Sequence, residues 1–175
     1  MPTRLIDPAL LDLWNAWCAA RGERSCPPFE ALDPVALGPV AERVLVVKKD
    51  GDEFRYVFVG SSIRGIYGYP MLGLRLSAAL PADRRDAAIA RYRSVCASGR
   101  PLFARNGYQV DRALQFRVDR LILPLALADG TVGGAICGQI MRSATDSVTS
   151  GPETGVPLIG DSLIYLDEMP ERASG

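Results

Sequence analysis

The sequence predicts an α+β domain: a five-stranded antiparallel sheet with helices over one face and an extra helix in front. Three observations carry this. β-rich runs are joined by tight turns, Asp50-Gly51-Asp52 and Asp129-Gly130, and short hairpin connections make neighbouring strands antiparallel. Helical periodicity is confined to two stretches, one near the N-terminus and one at 82–98. The order helix, two strands, short helices, long helix, three strands gathers helices between strand groups instead of alternating them as a parallel sheet requires.

The first helix starts at Asp7-Pro8, an acceptor cap followed by proline at the first helical position. Leu10, Leu13, Trp14, Trp17 and Cys18 recur at helical spacing and form one apolar stripe that ends near Gly22. Such a stripe either packs on the domain's own sheet or meets a partner. Leu10, Leu13, Trp14 and Trp17 are therefore candidate interface residues, and a homodimer is expected. Residues 24–40 are proline-rich, with a short helical turn expected from Asp33.

Val44–Val47 reads as a buried strand, and Phe54–Val59 as its hairpin partner, with Phe54, Tyr56 and Phe58 alternating against Arg55, Val57 and Val59. The strand runs into Gly60, and Gly65 follows five positions on. This spacing opens a phosphate-binding loop, but such a loop needs Lys and Ser/Thr directly after its second glycine. Ile66-Tyr67 stand there instead. The glycines are read as structural: Gly60 ends the strand, Ser61 or Ser62 caps a short helix, and Gly65 and Gly68 permit tight turns.

The second long helix spans 82–98, with Pro81 before it and Gly99-Arg100-Pro101 after it. Ala88, Ile89, Tyr92, Val95 and Cys96 form its inward face, with Arg84, Arg85, Arg91 and Arg93 mostly on the other. A strand is expected from Pro101 to about Asp111. In the next, 116–127, Phe116 and Val118 share one phase and Leu121, Leu123, Leu125 and Leu127 the other. This change of phase implies a bulge or a strand buried on both faces. The last strand, 131–141, carries Gly133, Gly134 and Gly138, which suit a strand closely overlain by a helix or ligand. Residues 142–155 read as a linker, and 156–169 as an apolar segment that adds to a sheet edge or meets a partner. The expected division is 1–42 for the helical extension, 43–141 for the domain and 142–175 for linker and acidic tail.

Composition narrows the function. The chain has 175 residues, 48% hydrophobic and 23% charged, with zero net charge, the balance of an ordinary soluble globule. Residues 1–141 carry a surplus of four positive charges and 142–175 a surplus of four negative ones. The arginines are dispersed among acids, so no nucleic-acid footprint is expected. No run reaches the ~18 apolar residues of a membrane span. The four cysteines, Cys18, Cys26, Cys96 and Cys137, form no C-x-x-C pair and suit a reducing cytoplasm. Histidine is absent, which excludes His-based nucleophilic catalysis, His-ligated haem and phosphorelay through a histidine of this chain. Asp111 and Asp119 are the only acids in predicted strands with apolar surroundings, and neither has an evident catalytic partner, so no enzyme activity is expected.

Three stretches carry a resemblance: LLDLWNAWCAARGE (10–23) with DPVALGPV (33–40), FRYVFVGSSIRGIYG (54–68) with LGLRLSAAL (72–80), and DRLILPLALADGTVGGAICG (119–138). Together they resemble a family of small stand-alone bacterial PAS-like proteins, with the PAS core over about 43–141. The glycine-rich last strand and the acidic tail depart from that pattern. The resemblance implies a sensory or regulatory module, with a cavity between sheet and helices for a small ligand and output through a signalling partner. Flavin photoreceptors of this class carry a reactive cysteine in a helix motif. The corresponding SSIRGIYGY has none, which argues against a flavin photoadduct. The cofactor, if any, is left open. The candidate lining is Tyr56, Phe58, Ile66, Tyr67, Tyr92, Cys96, Leu121, Leu123 and Cys137. Arg105 and Arg120 are candidate anion-binding groups if they face the cavity. The alternative is a ligand-free interaction scaffold.

Overall fold

The computed structural model describes residues 7–109, 115–143 and 162–165. Its elements are α1 (Pro8–Arg21), β1 (Val44–Asp50), β2 (Glu53–Val59), α2 (Ser61–Tyr67), α3 (Leu76–Ala79), α4 (Ala82–Ser98), β3 (Leu102–Gln109), β4 (Gln115–Ala126), β5 (Val132–Ser143) and β6 (Ser162–Tyr165). The strands form one sheet in the order β2-β1-β5-β4-β3-β6, and every pair is antiparallel. The five expected strands are all present. β6, four residues of the C-terminal apolar segment, pairs with β3 and extends the sheet at that edge.

The sheet is covered on both faces. α2, α3 and α4 close one face over a core that includes Leu45, Phe54, Tyr56, Ile63, Leu76, Tyr92, Ile122 and Cys137. α1 and the segment after it, with 3-10 turns at Phe29–Ala31 and at Pro34–Arg43 where a turn capped by Asp33 was expected, close the other over Val44, Val46, Leu121, Leu123 and Ile136. Leu10, Leu13 and Trp17 are buried in this second core. The α1 stripe thus packs on the chain's own sheet, and Trp14, half-buried, is the only one of the four candidate interface residues left near the surface. Asp7 fixes the start of α1 twice. It accepts from the Ala9 amide at 2.9 Å and pairs with Arg142, at the end of β5, at 2.6 Å.

Strand alternation sorts the side chains between the two cores. β4 is buried on both sides with no register break near Asp119-Arg120. Its change of apolar phase therefore reflects two cores, not a bulge. β5 lets α1 and the segment after it approach through its glycines: a Cβ at Gly138 would sit 2.7 Å from the methyls of Leu10 and Leu13 in α1, and one at Gly134 would sit 2.6 Å from the Phe29 ring in the following segment.

A bulge does occur in β2. Val46 pairs with Phe58 and Val47 with Tyr56, so Val57 is the extra residue. The insertion reverses the alternation beyond it. Phe54 and Tyr56 face α4, while Phe58 packs with the α1-side core. Helix α2 also differs from expectation. Its N-cap is Gly60 with no side-chain cap from either serine, and Gly65 lies within the helix. Gly68 supplies the left-handed C-cap, at φ 71°.

The segment from α2 to α4 is anchored to the β1–β2 hairpin. Gly73 donates to the Tyr56 carbonyl, and the Tyr56 amide donates to the Leu74 carbonyl, so residues 73–74 cover the free edge of β2. Asp50 accepts from Arg75 at 2.8 Å and from Arg55 at 2.6 Å, and these bonds, that from Arg75 foremost, hold its carboxyl below the usual carboxylate range. Glu53 accepts from both the amide and the hydroxyl of Ser77 at the start of α3.

Candidate functional site

Between the sheet and helices α2 and α4 lies a cavity of about 520 Å³. That is within the range of small-molecule sites. Its floor is the helix-facing phase of the central strands: Leu45 from β1, Tyr56 from β2, Phe116, Val118, Arg120 and Ile122 from β4, and Gln139 and Met141 from β5. α2 and the turn after it supply Ile66, Tyr67 and Tyr69. The remaining wall is Leu80, Pro81 and one face of α4, Arg84, Ala88, Arg91 and Tyr92. These four lie at 84, 88, 91 and 92, the three-to-four-residue spacing of one helical stripe.

The wall is aromatic and apolar with a polar strip on the floor. Tyr67 and Tyr69 meet edge to face, with centroids 6.1 Å apart, and the Tyr69 hydroxyl donates to the Ala79 carbonyl. Tyr56 and Tyr92 are buried. Burial raises both phenols well above their ordinary range, and Arg120 opposes this in each case. Arg120 is 9% exposed. Its Nη1 donates to Asn106 Oδ1 at 2.7 Å and its Nε to Gln139 Oε1 at 3.3 Å. The register explains this row, because Arg120 pairs across to Gln139 on β5 and is diagonal to Asn106, the partner of Val118, on β3. The carbonyl end of Gln139 is thus engaged, while its Nε2 is buried without a hydrogen-bond partner. Among the described residues the lining contains three arginines and no carboxylate.

Five of the eleven candidate lining residues meet here: Tyr56, Ile66, Tyr67, Tyr92 and Arg120. Phe58 lies on the opposite side because of the β2 bulge. Leu121 and Leu123 occupy the α1-facing phase of β4. Cys137 is fully buried in the helix-side core, outside the lining, and its thiol is pushed up to about 11 by burial. Cys96, on α4, also stands outside the lining; its Sγ faces the Gly134 carbonyl at 3.9 Å, and burial raises its thiol to about 11.

Arg105 has a structural partner on the other face. It holds Asp119 by two bonds, Nε to Oδ1 at 2.7 Å and Nη2 to Oδ2 at 2.9 Å. That pairing, the largest influence on Arg105, raises its pKa and accounts for both the candidate arginine and the buried acid Asp119. Asp111 lies outside the described residues. Arg84 and Arg91, expected on the outer face of α4, line the cavity instead, because their stripe overlooks its rim. Gln139 and Met141 were legible in principle. They share the phase of Cys137, two and four residues on.

An antiparallel sheet with order 2-1-5-4-3 in its first five strands and a helix-roofed cavity on one face is an α+β module of defined topology. A PAS domain family model matches residues 6–140, and the chain belongs to that family, a family of sensory and regulatory modules. Among solved structures, the chain is similar to an RNA-binding light-oxygen-voltage receptor, at 22% identity and TM-score 0.38, over 65% of this chain and 35% of that one. It thus spans about a third of that receptor's length. It is also similar to a fungal LOV domain photoreceptor, at 20% identity and TM-score 0.41, over 76% of this chain and 88% of that one. No curated protein matches the chain. Among the described residues no helix is long and apolar enough to cross a membrane.

Proposed function

We propose that this chain is a regulatory binding module, not an enzyme, and that it takes a small molecule into the cavity between the sheet and α2/α4. The observation that carries the reading is the cavity itself: about 520 Å³, walled by four tyrosines and aliphatic side chains, with a polar strip on its floor. Apolar walls with a few convergent polar groups are the general form of a ligand site. The position also suits signal output. α2 and α4 border the ligand space, and α4 is tied to the β1–β2 hairpin through Arg93 and the Asp52 carbonyl. A ligand that shifts α4 therefore acts on the hairpin, and a second protein would read that change.

A neutral fluorescent probe tests this without assuming the ligand's charge. N-phenyl-1-naphthylamine should brighten on binding the wild-type chain. Ala88→Trp, which fills the cavity from the α4 wall, should abolish the signal while leaving the circular dichroism spectrum intact. Equal brightening in the filled variant would place the probe elsewhere and refute the reading.

A further inference from the structure

We infer that the cavity selects a flat ring compound with a hydrogen-bond acceptor at its edge, a ring nitrogen or a carbonyl oxygen, and that the side-chain amide of Gln139 reads that atom. The inference rests on the cavity being a ligand site, and it adds the chemical class and the residue that sets specificity.

The observation that points to an acceptor is a buried donor with nothing to donate to. Gln139 is 5% exposed and lines the cavity, and its Nε2 has no hydrogen-bond partner. The strands explain why. Gln139 stands in the helix-facing phase of β5 between Cys137 and Met141, and sulfur is a weak acceptor. Across the pair on β4 stands Arg120, flanked on the same face by Val118 and Ile122. A guanidinium only donates, and the Nε of Arg120 donates to Gln139 Oε1 at 3.3 Å. Turning the amide over would set donor against donor. The NH2 end is therefore left for the cavity.

This donor is uncharged, so what it lacks is a lone pair and not a negative charge. A ligand that covers the amide without offering one strips it from water and leaves it unmet, at the full desolvation cost. A ligand with an acceptor in that place avoids the cost. A site holding a buried polar group discriminates in this way, by penalising the analogue that lacks the matching atom. Arg120 is a positioning residue: Asn106 Oδ1 accepts from its Nη1 at 2.7 Å, and the guanidinium so held orients Gln139. The body of the ligand follows from the walls. Tyr67 and Tyr69 meet edge to face with centroids 6.1 Å apart, and Tyr56, Tyr92 and Phe116 add further rings. Such walls take a flat ring in offset or edge-on contact.

The test is displacement of N-phenyl-1-naphthylamine from the full chain by matched ring compounds, at mildly alkaline pH where the ring nitrogens are uncharged. Quinoline and isoquinoline differ from naphthalene by a nitrogen acceptor in place of a CH. Indole differs from indene by a donor. Comparing each pair in wild type and variant cancels the hydration of the ligands themselves. Gln139→Met keeps the bulk and removes the donor. The binding of at least one azaarene relative to naphthalene should weaken by about threefold to tenfold in this variant, as expected for one neutral hydrogen bond. Gln139→Glu keeps the shape and the bond from Arg120 but puts an acceptor where the donor was. It should weaken the azaarenes relative to naphthalene and strengthen indole relative to indene, a reversal that a loosened fold does not produce. If Gln139→Met does not fold, Gln139→Glu carries the test alone. Relative affinities of azaarene and naphthalene that are the same in wild type and in the variants, or no displacement by either azaarene, would overturn the inference. The naphthylamine separates the two levels. If it binds wild type and the variants while the pairs behave alike, only the ligand class has failed. If it does not bind wild type, the cavity reading has failed with it.

Discussion

Replacing Trp17 separates a helix that belongs to the core from one that serves a partner. Trp17 has no exposed surface. Its Nε1 donates to the Pro124 carbonyl at 2.9 Å, its ring stacks at a tilt on Trp14 with centroids 5.6 Å apart, and the Arg21 guanidinium lies 5.1 Å from its centroid. Truncating a buried tryptophan to alanine costs about 3–5 kcal/mol, of which the indole hydrogen bond accounts for about 1 kcal/mol. For a domain of this size that lowers Tm by roughly 10 °C. Trp17→Phe keeps most of the apolar area but loses the hydrogen bond, and should cost about 2 kcal/mol. Trp14→Ala, at a half-buried position, should cost about 1 kcal/mol. The assay is urea unfolding followed by far-ultraviolet circular dichroism, paired with sedimentation velocity. The expected ranking is Trp17→Ala, then Trp17→Phe, then Trp14→Ala. A Trp17→Ala protein with unchanged stability but an altered association state would refute the placement of α1 in the core.

Two glycines should respond differently to the same substitution. At Gly60 a Cβ would land on the carbonyl oxygens of Ala41 and Glu42, so Gly60→Ala must move backbone and should cost about 3 kcal/mol or more. At Gly138 the clash is with the ends of Leu10 and Leu13, which can turn aside, so Gly138→Ala should cost about 1 kcal/mol; thermal denaturation of both variants checks the order. The thiols give a pH prediction. Cys96 and Cys137 are raised from 9.0 to about 11 by burial. The stability they contribute is therefore full below pH 9 and lost as pH rises from 9 towards 11, because the unfolded chain ionises first. At pH 8 their thiolate fraction is about a hundredfold below that of an ordinary thiol, so iodoacetamide should label Cys96 and Cys137 slowly until urea unfolds the chain.

The elements were legible because local signals agreed with the tertiary outcome. Asp7-Pro8 and Gly22 bracket α1, Gly99 closes α4, and the turn residues at 50–52 and 129–130 join strands that do pair. Which face a strand residue serves was less legible. β4 is apolar in both phases because both its faces are buried, so the lining residue Ile122 and the α1-facing Leu121 and Leu123 look equivalent in sequence. In β2 the alternation of Phe54, Tyr56 and Phe58 continues unbroken in sequence, whereas the pairing with β1 inserts Val57 and turns Phe58 away. A bulge of this kind is set by the partner strand. Arg84 and Arg91 were missed because charged residues on a helix ordinarily mark its solvent side, and here that side borders a cavity. Arg105 and Arg120 looked alike as arginines inside predicted strands; Arg120 shares the cavity-facing phase of Phe116 and Val118, and Arg105 does not line the cavity.

The central claim is that the tyrosine-walled space under α4 receives a small molecule. Amide and side-chain NMR shifts of the isotope-labelled chain, recorded during titration with N-phenyl-1-naphthylamine, test it most directly. The account predicts that the largest changes fall on Tyr56, Ala88, Tyr92, Arg120 and Gln139, while Leu13 and Trp17 on the opposite face stay still. Changes concentrated on the α1 face, or none at all, would contradict it.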